Sequence, residues 1–290
     1  MQWFDAATGI AGFHRIGHEP VAGTAVVWCG LVTQDGMRFR RVLPAVPLRP
    51  DDRSDGLAAG PHSVRVEGDA LRVKTREKGC DVDVVFENFY PILGLWGDDE
   101  AAALTESVAA GHFECSGRVT GRARLGDRTY EIEALGHRDH SWGIRHWNAW
   151  NSHRWCTGSC GPELSFAAFT SHLPDGTLLT GGYVVRDGTS LRAESAEVVV
   201  YLEADGLTHR GGEATLRFPG GEDVRLRCDA MDGVLFHHRD SWLVDTACRV
   251  QDSEGRRGVC NLEVSNNPLG GVRAPTLALR AAMLDGLTTR

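Results

Sequence analysis

The chain has 290 residues, 42% apolar and 24% charged, with a formal net charge of −8. This composition excludes wholesale disorder and collagen-like fibre, and the net acidity argues against a nucleic-acid binder, which needs a concentrated basic face. Apolar runs such as Val198–Leu202 fall far short of the ~20 residues of a membrane-spanning helix.

The N-terminus, Met1–Asp5, lacks a basic stretch followed by an apolar core, so the expectation is a soluble, cytoplasmic chain with no transmembrane segment. Alternating segments follow. Thr24–Val32 runs into Asp35-Gly36 and Met37–Val42 returns; Ser63–Val66 and Leu71–Lys74 flank Gly68-Asp69; Arg122–Leu125 and Thr129–Glu133 flank Gly126-Asp127. Further Asp-Gly pairs begin at Asp175, Asp187, Asp205 and Asp232. Asx-Gly turns between short period-two segments predict β-hairpins. Asp98–Ala110 opens with acids, as a helix does, and Pro275–Leu287 reads as a short helix or closing strand. The whole reads as all-β, with two barrels or sandwiches. The turn-rich Cys156–Pro162 sets the expected division into 1–158 and 159–290.

Several motifs are set aside. The eight cysteines form no paired C-x-x-C knuckles and are expected to be reduced and buried; Cys156 and Cys160, the closest pair, do not make a zinc site, so no metal and no cofactor is expected. Asp51-Asp52-Arg53-Ser54-Asp55 matches D-D-x-x-D but follows Pro50 and precedes Gly56, and reads as a solvated acidic turn. No nucleotide-binding glycine loop or G-x-S-x-G elbow is present.

The chemistry concentrates in Gly136–Trp155, which holds His137, Asp139, His140, Arg145, His146, His153 and four of the eight tryptophans. Indoles interleaved with ionisable groups describe the wall of an amphipathic cavity. Alternation sends His140 and Trp142 to one side and Asp139 and Ser141 to the other. One reading makes Asp139 or His140 a general acid with a carboxyl pKa raised by desolvation, and the tryptophan faces stabilisers of a carbocation. A second makes His137, His140 and His146 metal ligands, and a third a non-catalytic wall for an apolar ligand. Against these stands a buried Arg138–Asp139 ion pair packed among core tryptophans. Phe89, Tyr90 and Trp96 extend the aromatic set, and Glu87 or Asn88 could orient water. His237–Trp242 echoes His137–Trp142, bringing His238 and Trp242 into the candidate site.

The string GHRDHSWGIRHW, with Phe13-His-Arg-Ile-Gly17, Pro20 and Val27-Trp28, resembles the hydroxyneurosporene synthase (carotenoid hydratase) superfamily, which includes AttH-like proteins. The resemblance implies two consecutive lipocalin-like β-barrels and a cofactor-free enzyme acting on an isoprenoid or polyene by hydration, dehydration, isomerisation or cyclisation. Its matched positions are Asp139, His140, Trp142 and Arg145. The resulting expectation gives catalysis to Asp139, His140 and Arg145, and substrate binding to Trp142, Trp147, Trp96, Tyr90, Phe89, Trp242 and His238. The partner is a hydrophobic small molecule, with homodimerisation left open. The alternatives are a non-catalytic hydrophobic-ligand carrier and a pericyclase working by shape.

Overall fold

The computed structural model describes residues 1–94, 109–144, 150–221, 223–238, 241–266 and 283–289. The helix expected over 98–110 lies outside them except for its last two positions, as does most of the expected element at 275–287. Among the described residues no helix is long and apolar enough to cross a membrane.

The alternating segments form the expected hairpins and assemble into two curled, half-barrel sheets, an all-β architecture of two lipocalin-like units. The first sheet takes β1 (Gln2–Asp5), β2 (Ile10–Glu19), β3 (Thr24–Thr33), β4 (Met37–Pro47), β5 (Gly56–Ala59), β6 (His62–Glu67), β7 (Ala70–Glu77), β8 (Cys80–Asn88), β9 (Leu93–Gly94), β10 (Gly111–Leu125) and β11 (Arg128–Trp142). The second takes β12 (Ser152–Ser159), β13 (Leu164–His172), β14 (Leu178–Arg186), β15 (Thr189–Arg192), β16 (Ser195–Leu202), β17 (His209–Arg217), β18 (Asp223–His238), β19 (Ser241–Asp252) and β20 (Arg257–Asn266). A last strand, β21 (Gly286–Thr289), returns to the first sheet and pairs with β4. The chain changes sheet between Trp142 and Ser152, so β12 lies wholly in the second sheet and the division expected at 158/159 falls one strand later.

Period-two alternation gives each sheet two faces, and three apolar layers result. Phe39, Phe86, Val119, Ile132 and their neighbours fill the concave face of the first sheet; Phe166, Leu216, Leu226 and Leu262 fill that of the second. The third layer is the seam between the sheets, where Phe4, Phe13 and Trp28 meet Val234, Phe236 and Leu243. Polar ties cross it too: Arg38 donates to Asp232 (2.7 Å), and Gln2 Nε2 to Thr157 Oγ1 (2.8 Å).

Two local expectations are corrected. Asp232-Gly233 makes no turn; it lies inside β18, where the register shifts between Ala230 and Asp232, because the Asp232 carboxylate ties Arg38 across the seam instead of folding an Asx turn. The echo of His137–Trp142 is not a structural repeat either. His137–Trp142 is continuous strand, whereas His237–Trp242 crosses the β18–β19 hairpin, so that His237 faces Trp242 and His238 faces Ser241 across the ladder. The acidic D-D-x-x-D stretch forms a short 3-10 turn, Pro50–Arg53, in which Asp52 accepts the Arg49 N–H (2.7 Å).

Candidate functional site

The site is built on the β10–β11 ladder. Its register sets His112 against Ser141, Glu114 against Asp139, and Ser116 against His137. Directly opposed residues share a face, so these six side chains form one polar strip, turned toward the second sheet. The intervening positions, Phe113, Arg138, His140 and Trp142, take the other face.

Glu114 is the centre of the strip. Its carboxylate is 1% exposed and meets His112 Nε2 at 3.0 Å, His137 Nε2 at 3.3 Å, and the hydroxyl of Tyr183 of the second sheet, which donates at 3.0 Å. Burial pushes the Glu114 pKa up, but the hydrogen bonds and positive fields of His112 and His137 outweigh it and hold the group below its ordinary value. Tyr183 moves the other way: burial and the neighbouring Glu114 raise it well above a normal phenol, so it stays a donor. The second nitrogens of both imidazoles meet hydroxyls, His112 Nδ1 with Ser141 Oγ (2.7 Å) and His137 Nδ1 with Ser116 Oγ (2.9 Å). Two Ser–His–Glu chains thus share one carboxylate.

On one arm Ser116 Oγ lies within hydrogen-bond reach of both His137 Nδ1 (2.9 Å) and the Gly158 carbonyl (3.2 Å), which ties the imidazole to the backbone of the second sheet. Of the network's members Ser141 alone is half-buried, which makes Ser141–His112 the arm that reaches toward solvent.

His112 packs on Trp155 (ring centroids 5.6 Å), which stacks on Phe169 (5.7 Å) and meets His153 (5.0 Å). This aromatic wall belongs to β12 and β13, and Trp150 joins it while donating its indole N–H to Ser265 Oγ (3.1 Å). On the opposite arm, His137 lines a crevice between the sheets with Gln2, Phe4, Phe13, Thr157 and Asn261. The crevice is narrow: counted with its open mouth it measures ≈ 250 Å³. It does not enclose a chamber of polyene size. Asn261 Nδ2 donates to Asp245 (2.5 Å), whose pKa burial pushes up to about 6 against that hydrogen bond, with Asp139 adding to the rise.

The expected site residues scatter around this network. Asp139 is exposed at the rim of the strip, directly across from Glu114. His140, on the other face, stacks on Phe113 (5.4 Å) and leans on Trp142 (5.8 Å); desolvation lowers its pKa against the pull of Asp139. Trp142 is 49% exposed and lies over Gly111, where a Cβ would come within 2.2 Å of its ring. Arg138 is not at the strip; it sits over Phe86 and Phe113 and donates to Asn88 Oδ1 (3.1 Å). Tyr90 is buried and its hydroxyl accepts the Ser116 N–H (3.0 Å), with Phe89 packed alongside. Trp242 lies against His237 (4.2 Å) at the β18–β19 hairpin, where His238 pairs with Ser241. Arg145, His146, Trp147 and Trp96 lie outside the described residues. The three-histidine metal reading fails in its described part, because His137 and His140 leave β11 on opposite faces.

Fold and site together define a double lipocalin-like β protein with a buried carboxylate–imidazole network at its seam. The chain belongs to the family described as a domain of unknown function, DUF7064, whose model matches residues 1–268. Its fold is similar to that of a candidate AttH protein from Nitrosomonas europaea (TM-score 0.66, 9% identity, 91% of this chain and 89% of that one). It is also similar to kievitone hydratase from Nectria haematococca (TM-score 0.61, 11% identity, 93% and 90%). No curated protein matches this chain in sequence.

Proposed function

We propose that this protein is a cofactor-independent acid–base enzyme that adds water to, or removes it from, an apolar unsaturated small molecule of the terpenoid or polyene class. The observation that carries the reading is Glu114, a carboxylate buried between two imidazoles and a phenol. A carboxylate behind a histidine stabilises the imidazolium that forms when the ring takes a proton. Glu114 with His112 is therefore the base arm, and Ser141 Oγ, on His112 Nδ1, is where a water or a substrate hydroxyl exchanges its proton. Asp139 stands two residues from Ser141 on the same face, about 7 Å along the strand, and takes the acid role. In hydration, water at Ser141 loses a proton toward His112 as its oxygen bonds to one carbon, and Asp139 protonates the other; dehydration reverses both transfers. The wall of Trp155 and Phe169 offers π-faces to an apolar substrate and to positive charge developing on it. The fold shared with a hydratase supports this choice among proton-transfer reactions.

The test is to incubate the protein with terpenoid and polyene alkenes and their alcohols in ¹⁸O-labelled water and in D₂O, following label by mass spectrometry. The expected result is incorporation of ¹⁸O into alcohol that Glu114→Gln abolishes. Ligand binding without incorporation would make the protein a carrier, and turnover indifferent to both Glu114→Gln and Asp139→Asn would make it a shape-driven pericyclase.

A further inference from the structure

The concave face of the second sheet gathers cysteines. β12, β20, β19 and β18 are consecutive neighbours in that sheet, and each contributes one: Cys156, Cys260, Cys248 and Cys228. The four lie in the same apolar cluster, bounded by Leu226 and Leu262. Curling of the sheet draws three of them to a point: the Sγ atoms of Cys156, Cys228 and Cys260 all lie within 4.8 Å of one another. Cys156 and Cys228 are 3.8 Å apart and Cys228 and Cys260 3.5 Å. With a Zn–S bond of about 2.3 Å, two ligands of a tetrahedral zinc stand about 3.8 Å apart. The thiols are thus spaced as ligands around a shared ion. Cys248, directly across the β19–β20 ladder from Cys260, is a source of a fourth sulfur. Cys160, which the sequence pairs with Cys156 by spacing, is not in the trio.

We propose that Cys156, Cys228 and Cys260 form a binding site for a thiophilic metal ion, zinc(II) in the first instance, in the core of the second barrel. A trio of soft sulfur donors with no carboxylate among them selects zinc or copper(I) over magnesium or calcium. Uptake exchanges two thiol protons for the ion, two of the sulfurs binding as thiolates and the third as a neutral thiol, so affinity rises with pH. Release of two protons leaves a neutral assembly, the state an apolar core favours.

The experiment uses the full chain, unfolded under reducing conditions and refolded with Zn²⁺ or Co²⁺, then dialysed against a weak chelator. The expected result is retention of about one equivalent of zinc, a thiolate-to-cobalt charge-transfer band, and a loss of retention of about tenfold or more in Cys156→Ser and Cys228→Ser but not in Cys160→Ser. Wild-type protein that refolds yet keeps no zinc and shows no charge-transfer band overturns the proposal, leaving the sulfurs as packing atoms. Retention unchanged in both serine variants overturns it too, assigning the ion to other thiols. Circular dichroism on each variant separates loss of the site from loss of the fold, and the wild-type cobalt spectrum decides the matter without any variant.

Discussion

The concave face of the second sheet and the seam between the sheets are equally dry, yet they are furnished in opposite ways. The first is lined by Phe166, Leu216, Leu226 and thiols; the second holds Glu114, His112, His137, Ser116 and Tyr183, all at least 92% buried. An apolar core gains from area removed from water, with no directional demand. A buried ionic network gains little net stability, because desolvation offsets attraction. What it supplies is a set of donors and acceptors held in fixed places. Both barrels are filled with side chains, whereas the seam sets an ionisable network beside its apolar layer, so the proposed chemistry lies at the junction, where residues of both sheets meet.

The largest effects should come from the centre of each region, and they should differ in kind. Glu114→Gln removes the buried carboxylate on which His112, His137 and Tyr183 converge and is expected to cost about 3–5 kcal/mol of stability and about 10²–10⁴ in turnover, measured by denaturant unfolding and by ¹⁸O incorporation. Phe166→Ala should cost a similar 3–5 kcal/mol while the turnover of the folded fraction stays near wild type. Were the core substitution to abolish turnover as well, the separation of roles would fail.

Acid–base titration sharpens the contrast next. Glu114 is held below its ordinary value, so its contribution is present above pH 4.5 and lost as pH falls through its still lower folded pKa. Asp245 is raised from 3.8 to about 6; the folded state holds its proton longer, so stability falls as pH climbs through that window, by about 1–3 kcal/mol. Asp245→Asn should flatten the decline in denaturation midpoints between pH 4 and pH 6 and leave the acid limb in place.

Smaller still is Tyr183→Phe, which deletes one donor to Glu114 and should cost about 1–3 kcal/mol, read from the unfolding midpoint. Smallest in stability is Asp139→Asn, within about 0.5 kcal/mol for an exposed side chain, yet with a clear loss of ¹⁸O incorporation. Full activity in that variant would remove Asp139 from the acid role.

Much of this was legible from residues alone. The Asx-Gly turns and period-two segments predict the hairpins, and the string around His137–Trp142 carries the resemblance to proteins of this fold. Even the centre of the site was within reach: counting back from the Gly126-Asp127 turn sets Ser116 against His137 and Glu114 against Asp139. Without that count, Glu114 in His112–Ser116 reads as an ordinary charged strand residue, since local pattern does not say that a second sheet covers it. Tyr183 lies 69 residues from Glu114, and no local rule joins them. The thiol trio is hidden for the same reason, because curvature of a sheet, not spacing along the chain, brings Cys156 to Cys228.

The return of β21 to the first sheet has its own consequence. The Arg40 guanidinium, buried in that sheet, donates to Leu235 O of the second (2.6 Å) and to Met283 O (2.9 Å), and pairs with Asp285 just ahead of β21. The chain is stitched like a closed loop, its late segment fastened to its early one by the β4–β21 pairing and by Arg40 and Arg41 at Asp285, with Arg40 also gripping the intervening half. Expressing either half by itself would leave that stitch undone, so the pair should melt as one cooperative body, and a split version would need the β21 peptide supplied alongside.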